Sequence, residues 1–260
     1  MVAETVRRDL KVMEGYGLLR RTHGGAYPIE GVGYESKMAY RSESWIPEKR
    51  RIAAAAIEQL GPAETVYLDE GFTPQLVAQE LVDQGKALTV VTFSLATAGI
   101  LTGCLAINVI LLGGRVRGRT LATVDHWATA MLGDLVIDVA IMGANGFTRD
   151  RGLTVADSTV AAVKAKAMVV SRRRIFVGVH TKFGVSSFCR FADVSDFESL
   201  ITDTTLSASE AHRYTALGPQ VLRSNRWPGT SRAAPTRPMT SDPLTSPRPT
   251  TASPERGLRQ

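Results

Sequence analysis

Four short strings in the middle of the chain combine glycine, hydroxyl and charged residues in the way an anion site requires. They are Asp69-Glu70-Gly71-Phe72-Thr73, Thr92-Phe93-Ser94, Gly113-Gly114-Arg115 and Gly143-Ala144-Asn145-Gly146. Glycine lets backbone amides approach a ligand, Thr and Ser donate hydroxyls, and a guanidinium supplies charge, so together they can enclose a phosphate. Lys182 adds a further point charge. The candidate contacts are Asp69, Gly71, Thr73, Thr92, Ser94, Gly113, Gly114, Arg115 and Lys182. Each string alone has a plainer reading. Glycine after a strand makes a turn, Thr73 and Ser94 suit helix N-caps, and Asn145 suits a turn. Their coincidence is what favours a site.

What brings these strings together is an alternation of strands and helices between residues 45 and 222. Strands are expected at 65–69, 88–93, 107–112, 136–142, 175–179 and 198–201. Helices are expected at 48–60, 74–84, 95–102, 125–132, 158–171 and 208–217. Nearly continuous apolar strands alternating with helices predict an α/β fold with a mainly parallel sheet covered on both faces. In such sheets ligands bind beyond the carboxyl ends of the strands, where all four strings fall.

A second chemistry lies near the start. Val6, Leu10 and Met13 share one helix face, and Arg7, Arg8 and Lys11 lie off it. Leu18 to Thr22 reads as a short strand and Gly24-Gly25 as a tight turn before Ala26-Tyr27. A basic helix followed by a hairpin suits DNA. Thr5, Arg7, Arg8 and Lys11 would meet the major groove and backbone, and Arg20, Arg21 and His23 the adjacent phosphates. A solvated basic helix beside a hairpin fits the same spacing.

The net charge of +6 belongs to the ends of the chain. From Arg226 onward six arginines stand against Asp242 and Glu255, and residues 1–21 hold five basic and three acidic residues, which leaves the middle neutral. A neutral body argues against nucleic acid wrapping around it. The stretch 224–260 carries seven of the twelve prolines with Ser, Thr and Arg, and its composition predicts a disordered tail. Cys104 and Cys189 are too few for a disulfide framework, and the four histidines show no metal spacing. No cofactor or metal is expected. No apolar run reaches about 18 residues and no signal peptide follows Met1, so a cytoplasmic protein without a membrane span is expected.

Residues 5–26 resemble the DeoR family of bacterial repressors, whose recognition helix and wing carry T-[IV]-R-R-D-L followed by G-L-[LI]-R-R-x-H-G-G-A. Further matching strings are Leu111-Leu112-Gly113-Gly114-Arg115, Gly143-Ala144-Asn145-Gly146, Gly152-Leu153-Thr154, Val163-Lys164, Thr181-Lys182-Phe183-Gly184 and Leu200-Ile201-Thr202-Asp203. The likeness covers roughly residues 2–223. It implies a winged helix-turn-helix followed by a sensor domain similar to ribose-5-phosphate isomerase, which binds a phosphorylated sugar and then loosens its hold on operator DNA. It implies a homo-oligomer, since symmetric operators match symmetric proteins. The expected layout is a partial winged helix at 1–27, a linker at 28–45, the α/β domain at 46–223 and the tail at 224–260.

In the family about two helices precede the recognition helix. A stretch of about 26 residues is short of the ~40 at which a domain usually folds alone, so the expectation is a start placed too late. Other departures fall at the pocket. The family has serine where Val2 and Glu70 stand, asparagine at Phe93 and aspartate at Val179. A carboxylate at Glu70 would repel a phosphate. Catalysis is not expected, because isomerisation needs a carboxylate base and the string 143–146 has none. A ligand-binding or oligomerising module without DNA binding is the other reading.

Overall fold

The computed structural model describes residues 6–8, 10–11, 14, 19–22, 25–28, 44–118 and 120–225. Near the start, Val6, Arg7, Arg8, Leu10, Lys11 and Glu14 are helical. Strands β1 (Leu19–Thr22) and β2 (Gly25–Pro28) pair antiparallel, with Thr22 opposite Gly25. The Arg21 amide donates to Glu14 Oε1 at 3.0 Å, which ties hairpin to helix. The linker expected at 28–45 falls mostly, and the tail from 226 wholly, outside the described residues.

The larger body is built on a seven-stranded sheet in the order β14-β13-β11-β8-β3-β4-β5, every neighbouring pair parallel. Its strands are β3 (Thr65–Leu68), β4 (Leu88–Thr92), β5 (Ile107–Leu111), β8 (Ile137–Met142), β11 (Ser171–Val177), β13 (Ser199–Asp203) and β14 (Gln220–Ser224). Successive residues bury on opposite faces. Val66, Leu68, Ile175 and Val177 join one apolar cluster, and Tyr67 and Phe176 join the other. Burial on both sides is why these strands read as unbroken apolar runs.

One face is covered by α1 (Ile46–Glu58), α2 (Phe72–Gln84) and α3 (Leu95–Leu101). Lys49, Ile52, Ala53, Ala56 and Ile57 of α1 are buried at the spacing of a single helical stripe. The other face is covered by α4 (His126–Gly133), α5 (Ser158–Val170) and Tyr214 of α6 (Ala208–Thr215).

Strand β11 begins at Ser171, four residues before the expected start. Arg172, Arg173 and Arg174 read as polar loop, yet they lie in the strand because their guanidiniums reach partners at the sheet end. Arg173 donates to Glu198 and to the carbonyls of Gln59 and Leu60, and Arg174 to the carbonyls of Met168, Ser171 and Asp196. Two further units were not foreseen. A hairpin pairs β6 (Arg115–Arg117) with β7 (Ala122–Val124), and a small antiparallel sheet runs β12 (Cys189–Ala192), β10 (Gly152–Val155), β9 (Gly146–Thr148).

Candidate functional site

A cavity of about 300 Å³ opens at the carboxyl ends of β3, β8 and β11. The turn into α2 supplies Glu70, Gly71, Phe72, Thr73 and Pro74. The turn after β8 supplies Gly143, Ala144 and Asn145, and the end of β11 with the short 3-10 turn at 180–182 supplies Gly178, Val179, Thr181 and Lys182. Lys164 of α5 enters from the side. Trp45 and Lys49, at the start of α1, form the remaining wall with Ser44.

Helix α2 points its first turn into this space. Its N-cap is Gly71, at φ 107, a conformation that suits glycine, and no side chain caps the helix. The first amides of any helix lack intrahelical acceptors and carry the positive end of its dipole. Thr73 is buried beside them. An anion in the cavity would thus meet amides, a hydroxyl and the ammonium groups of Lys49 and Lys182.

Below the cavity Asp69 and Lys164 form an ion pair, both almost wholly buried. Asp69 Oδ2 also accepts from the Gly143 amide at 2.7 Å, and Lys164 donates to the Gly143 carbonyl at 3.2 Å. Gly143 is therefore clamped from both sides, which sets the turn that lines the cavity. Burial raises the Asp69 carboxyl above its ordinary 3.8, although the Lys164 ammonium and the Gly143 amide pull it down. Asn145 is held in the same turn, its side-chain oxygen accepting from the Ala156 amide at 2.9 Å.

The 3-10 turn that carries Thr181 and Lys182 has its own frame. Asp203, fully buried, accepts from the His180 amide at 2.7 Å and from its Nδ1 at 3.0 Å, as well as from the Thr205 amide. Burial pushes this carboxyl up, but the hydrogen bonds from His180 and Thr205 bring it below 3.8. The Trp45 ring stands edge-on to His180, centroids 4.8 Å apart.

Of the nine expected contacts, Gly71, Thr73 and Lys182 line the cavity, and Asp69 does not line it but holds Gly143, which does. Thr92, Ser94, Gly113, Gly114 and Arg115 do not line it. The hairpin β6–β7 covers the strand ends that carry them. Leu95 donates to the Leu121 carbonyl, Thr123 donates to the carbonyls of Phe93 and Leu112, and Ser94 bridges to Ala122. Thr92 Oγ1 accepts from the Ser94 amide, and Ser94 caps α3 through Thr97. Gly114 lets the hairpin close, since a Cβ there would sit 2.2 Å from the Val124 oxygen. Arg115, 64% exposed, pairs with Asp125 at 3.0 Å.

The departures behave differently from one another. Phe93 is buried and stacks near Tyr67 in the core. Val179 is an apolar part of the wall. Glu70 lines the cavity, with its Oε2 shut off from solvent and without a hydrogen-bond partner among the described residues. Burial raises it above 4.5, while Lys164, Arg117 and the Thr120 hydroxyl pull it back.

Trp45, Lys49 and Lys164 were missed. Lys164 left a signal: of the two lysines of α5 it is the one that falls on the buried stripe of Val160, Ala161, Ala167 and Met168. Lys49 sat in what read as an ordinary amphipathic helix, and Trp45 in the linker. Among the described residues no group of His, Cys, Asp and Glu could hold a metal ion.

At the other site, Arg7, Arg8 and Lys11 are exposed on the helix, as is Arg21 on the hairpin. Arg20 lies in β1 opposite Tyr27. Thr5 and His23 fall outside the described residues.

Residues 45–204 match the DeoR C terminal sensor domain, and residues 2–31 match the DeoR-like helix-turn-helix domain. The chain belongs to the DeoR family. Among its relatives are the HTH-type transcriptional regulator GlpR of Haloferax volcanii, 31% identical across 84% of this chain and 85% of that one. The Transcriptional repressor AccR of Agrobacterium fabrum is 33% identical across 77% and 78%. The Glycerol-3-phosphate regulon repressor of Escherichia coli is 30% identical across 77% and 79%. These relatives are DeoR-type transcriptional regulators, and this chain is one of them in fold and domain content. The solved structure of ribose 5 phosphate isomerase A from Neisseria gonorrhoeae overlaps 53% of each chain at 18% identity and a TM-score of 0.39. That likeness is distant, and the fold reading stands on the sheet order and the family match. No helix among the described residues is long and apolar enough to cross a membrane.

Proposed function

We propose that this DeoR-family regulator represses carbohydrate-metabolism genes in the cytoplasm and leaves its operator when a phosphorylated sugar or related metabolite fills the cavity. The observation that carries the reading is the cavity itself: an uncapped α2 N-terminus, Thr73 and two lysines converge on one space large enough for a small anionic ligand. The phosphate would sit on the amides at Gly71 to Thr73 with Lys182 beside it, while Asp69 holds the floor through Lys164 and Gly143. The name of the Escherichia coli relative, a glycerol-3-phosphate regulon repressor, supports this ligand class.

On the DNA side, Thr5, Arg7, Arg8 and Lys11 would contact the groove and backbone, and Arg20, Arg21 and His23 the phosphates alongside. A homo-oligomer would place two such elements on a symmetric operator. The family membership speaks against turnover. Asp69 is fully buried and tied to Lys164 and the Gly143 amide, and the Oε2 of Glu70 is buried too.

The test is operator retention. Fluorescence anisotropy of the full chain with DNA flanking its own gene is measured against glycerol 3-phosphate, fructose 1-phosphate, glucose 6-phosphate and the unphosphorylated sugars. Release by a phosphorylated compound and not by its parent is the expected result. Equal response to both, or none to any, would overturn the effector class.

A further inference from the structure

The wall formed by α1 is the part of the cavity that strand-end chemistry does not explain. Lys49 is 4% exposed, lines the cavity, and holds its ammonium 5.0 Å from the centre of the Phe72 ring, at the first turn of α2. Four residues earlier, Trp45 also lines the cavity, and its carbonyl accepts the Lys49 amide at 2.9 Å. Trp45 holds a left-handed backbone, φ 63 and ψ 33, unusual for a residue with a bulky side chain. Its ring rests on His180, the first residue of the turn that carries Thr181 and Lys182 into the same cavity.

The first turn of α1 thus touches both sides of the cavity. It is also the point at which the chain arrives from the linker and the basic residues of the N-terminal segment. We propose that Lys49 is an anion contact of the cavity and that, through Trp45, it passes occupancy to the linker. The inference rests on the effector reading above and adds to it the residue that senses and the residue that relays. A ligand can shift an equilibrium only through contacts that differ between the two states. An anion drawing Lys49 forward changes the turn whose amide holds Trp45 in place.

Burial lowers Lys49 from 10.5 to about 8, with Glu48 pulling the other way. The other charged groups around the cavity are Glu70 and buried Asp69 before α2, Lys164 on α5 and Lys182 on the 3-10 turn, where the His180 ring faces Asp203. An anion beside Lys49 raises its pKa, so binding above pH 8 must first restore the proton. Affinity is therefore level below pH 8 and falls by about tenfold per pH unit above it.

The experiment uses the full chain with glycerol 3-phosphate, fructose 1-phosphate and glucose 6-phosphate, affinities being measured by calorimetry from pH 7 to 9.5. In Lys49→Met the affinity at pH 7 falls tenfold or more and the slope above pH 8 disappears. In Lys49→Arg binding persists and the slope also disappears, since arginine stays charged throughout. A variant with Trp127→Phe and Trp227→Phe keeps Trp45 as the sole indole, and its emission changes on saturation. Wild-type affinity and pH profile retained in Lys49→Met overturn the role of Lys49 while the effector reading stands. Unchanged Trp45 emission at saturation overturns the relay. No response of the wild type to any of the phosphates overturns both readings together.

Discussion

Replacing Lys164 by methionine keeps the volume of the side chain and removes its charge from a site where it is almost wholly buried against Asp69. Asp69 then keeps the Gly143 amide as its hydrogen-bond donor. Removing one member of a buried pair typically costs about 3–5 kcal/mol, because the other charge is left uncompensated. At about 2–4 °C per kcal/mol for a domain of this size, the melting temperature at pH 7 drops by about 6–20 °C. The pH dependence separates this cause from simple repacking. Asp69 already titrates above its unfolded value of 3.8, and losing the ammonium raises it further. A carboxyl raised in the folded state binds its proton more tightly there than in the unfolded chain. Its stabilising contribution is therefore present below pH 3.8 and lost as pH rises through the folded pKa. The deficit of Lys164→Met, read by circular dichroism melts, should be small near pH 4.5 and grow towards pH 7. The double variant Asp69→Leu/Lys164→Met should recover most of the loss, as apolar replacement of a whole buried pair is often neutral. A deficit under about 2 °C at pH 7, or one of equal size at both pH values, would refute the reasoning.

Arg115→Ala should leave any phosphate-induced rise in melting temperature intact, because its guanidinium is on the far side of the hairpin with Asp125; Lys182→Met should abolish that rise, and the reverse pattern would move the site. Gly114→Ala drives a Cβ into the Val124 carbonyl from a positive φ, and should lower the melting temperature by about 4–12 °C, equivalent to about 2–3 kcal/mol of overpacking. Arg7→Ala should weaken operator binding in anisotropy titrations and reduce its salt dependence, with effector affinity unaltered.

The central strands were legible because burial on both faces leaves no polar residue to interrupt them, as in Val66-Tyr67-Leu68 and Ala140-Ile141-Met142. The strand β11 was half hidden, since its arginines are satisfied by carbonyls from elements distant in sequence and nothing local reveals those partners. The cavity lining was legible where local turns decide it, at Gly71, Thr73 and Lys182. It was not legible at Thr92 and Ser94, whose strand ends look open until the hairpin at 115–124 is folded over them. Trp45 and Lys49 lay beyond reach for a related reason. They belong to the start of a helix that meets the cavity from the side, away from the strand ends.

The walls of the cavity are drawn from residues 44 to 182, and its clamp joins Asp69 to a lysine 95 residues further on. Strand β3 also waits long for its second neighbour, with Thr65 and Asp138 separated by 73 residues. Pairings of this span are slow to form, and a ribosome adds only about 5–20 residues each second. The basic helix and hairpin therefore emerge well before any pocket exists, by on the order of ten seconds. A newly made chain has its basic N-terminal residues first and its cavity last. A ligand could enter the cavity only after residues 44–182 have been made and folded.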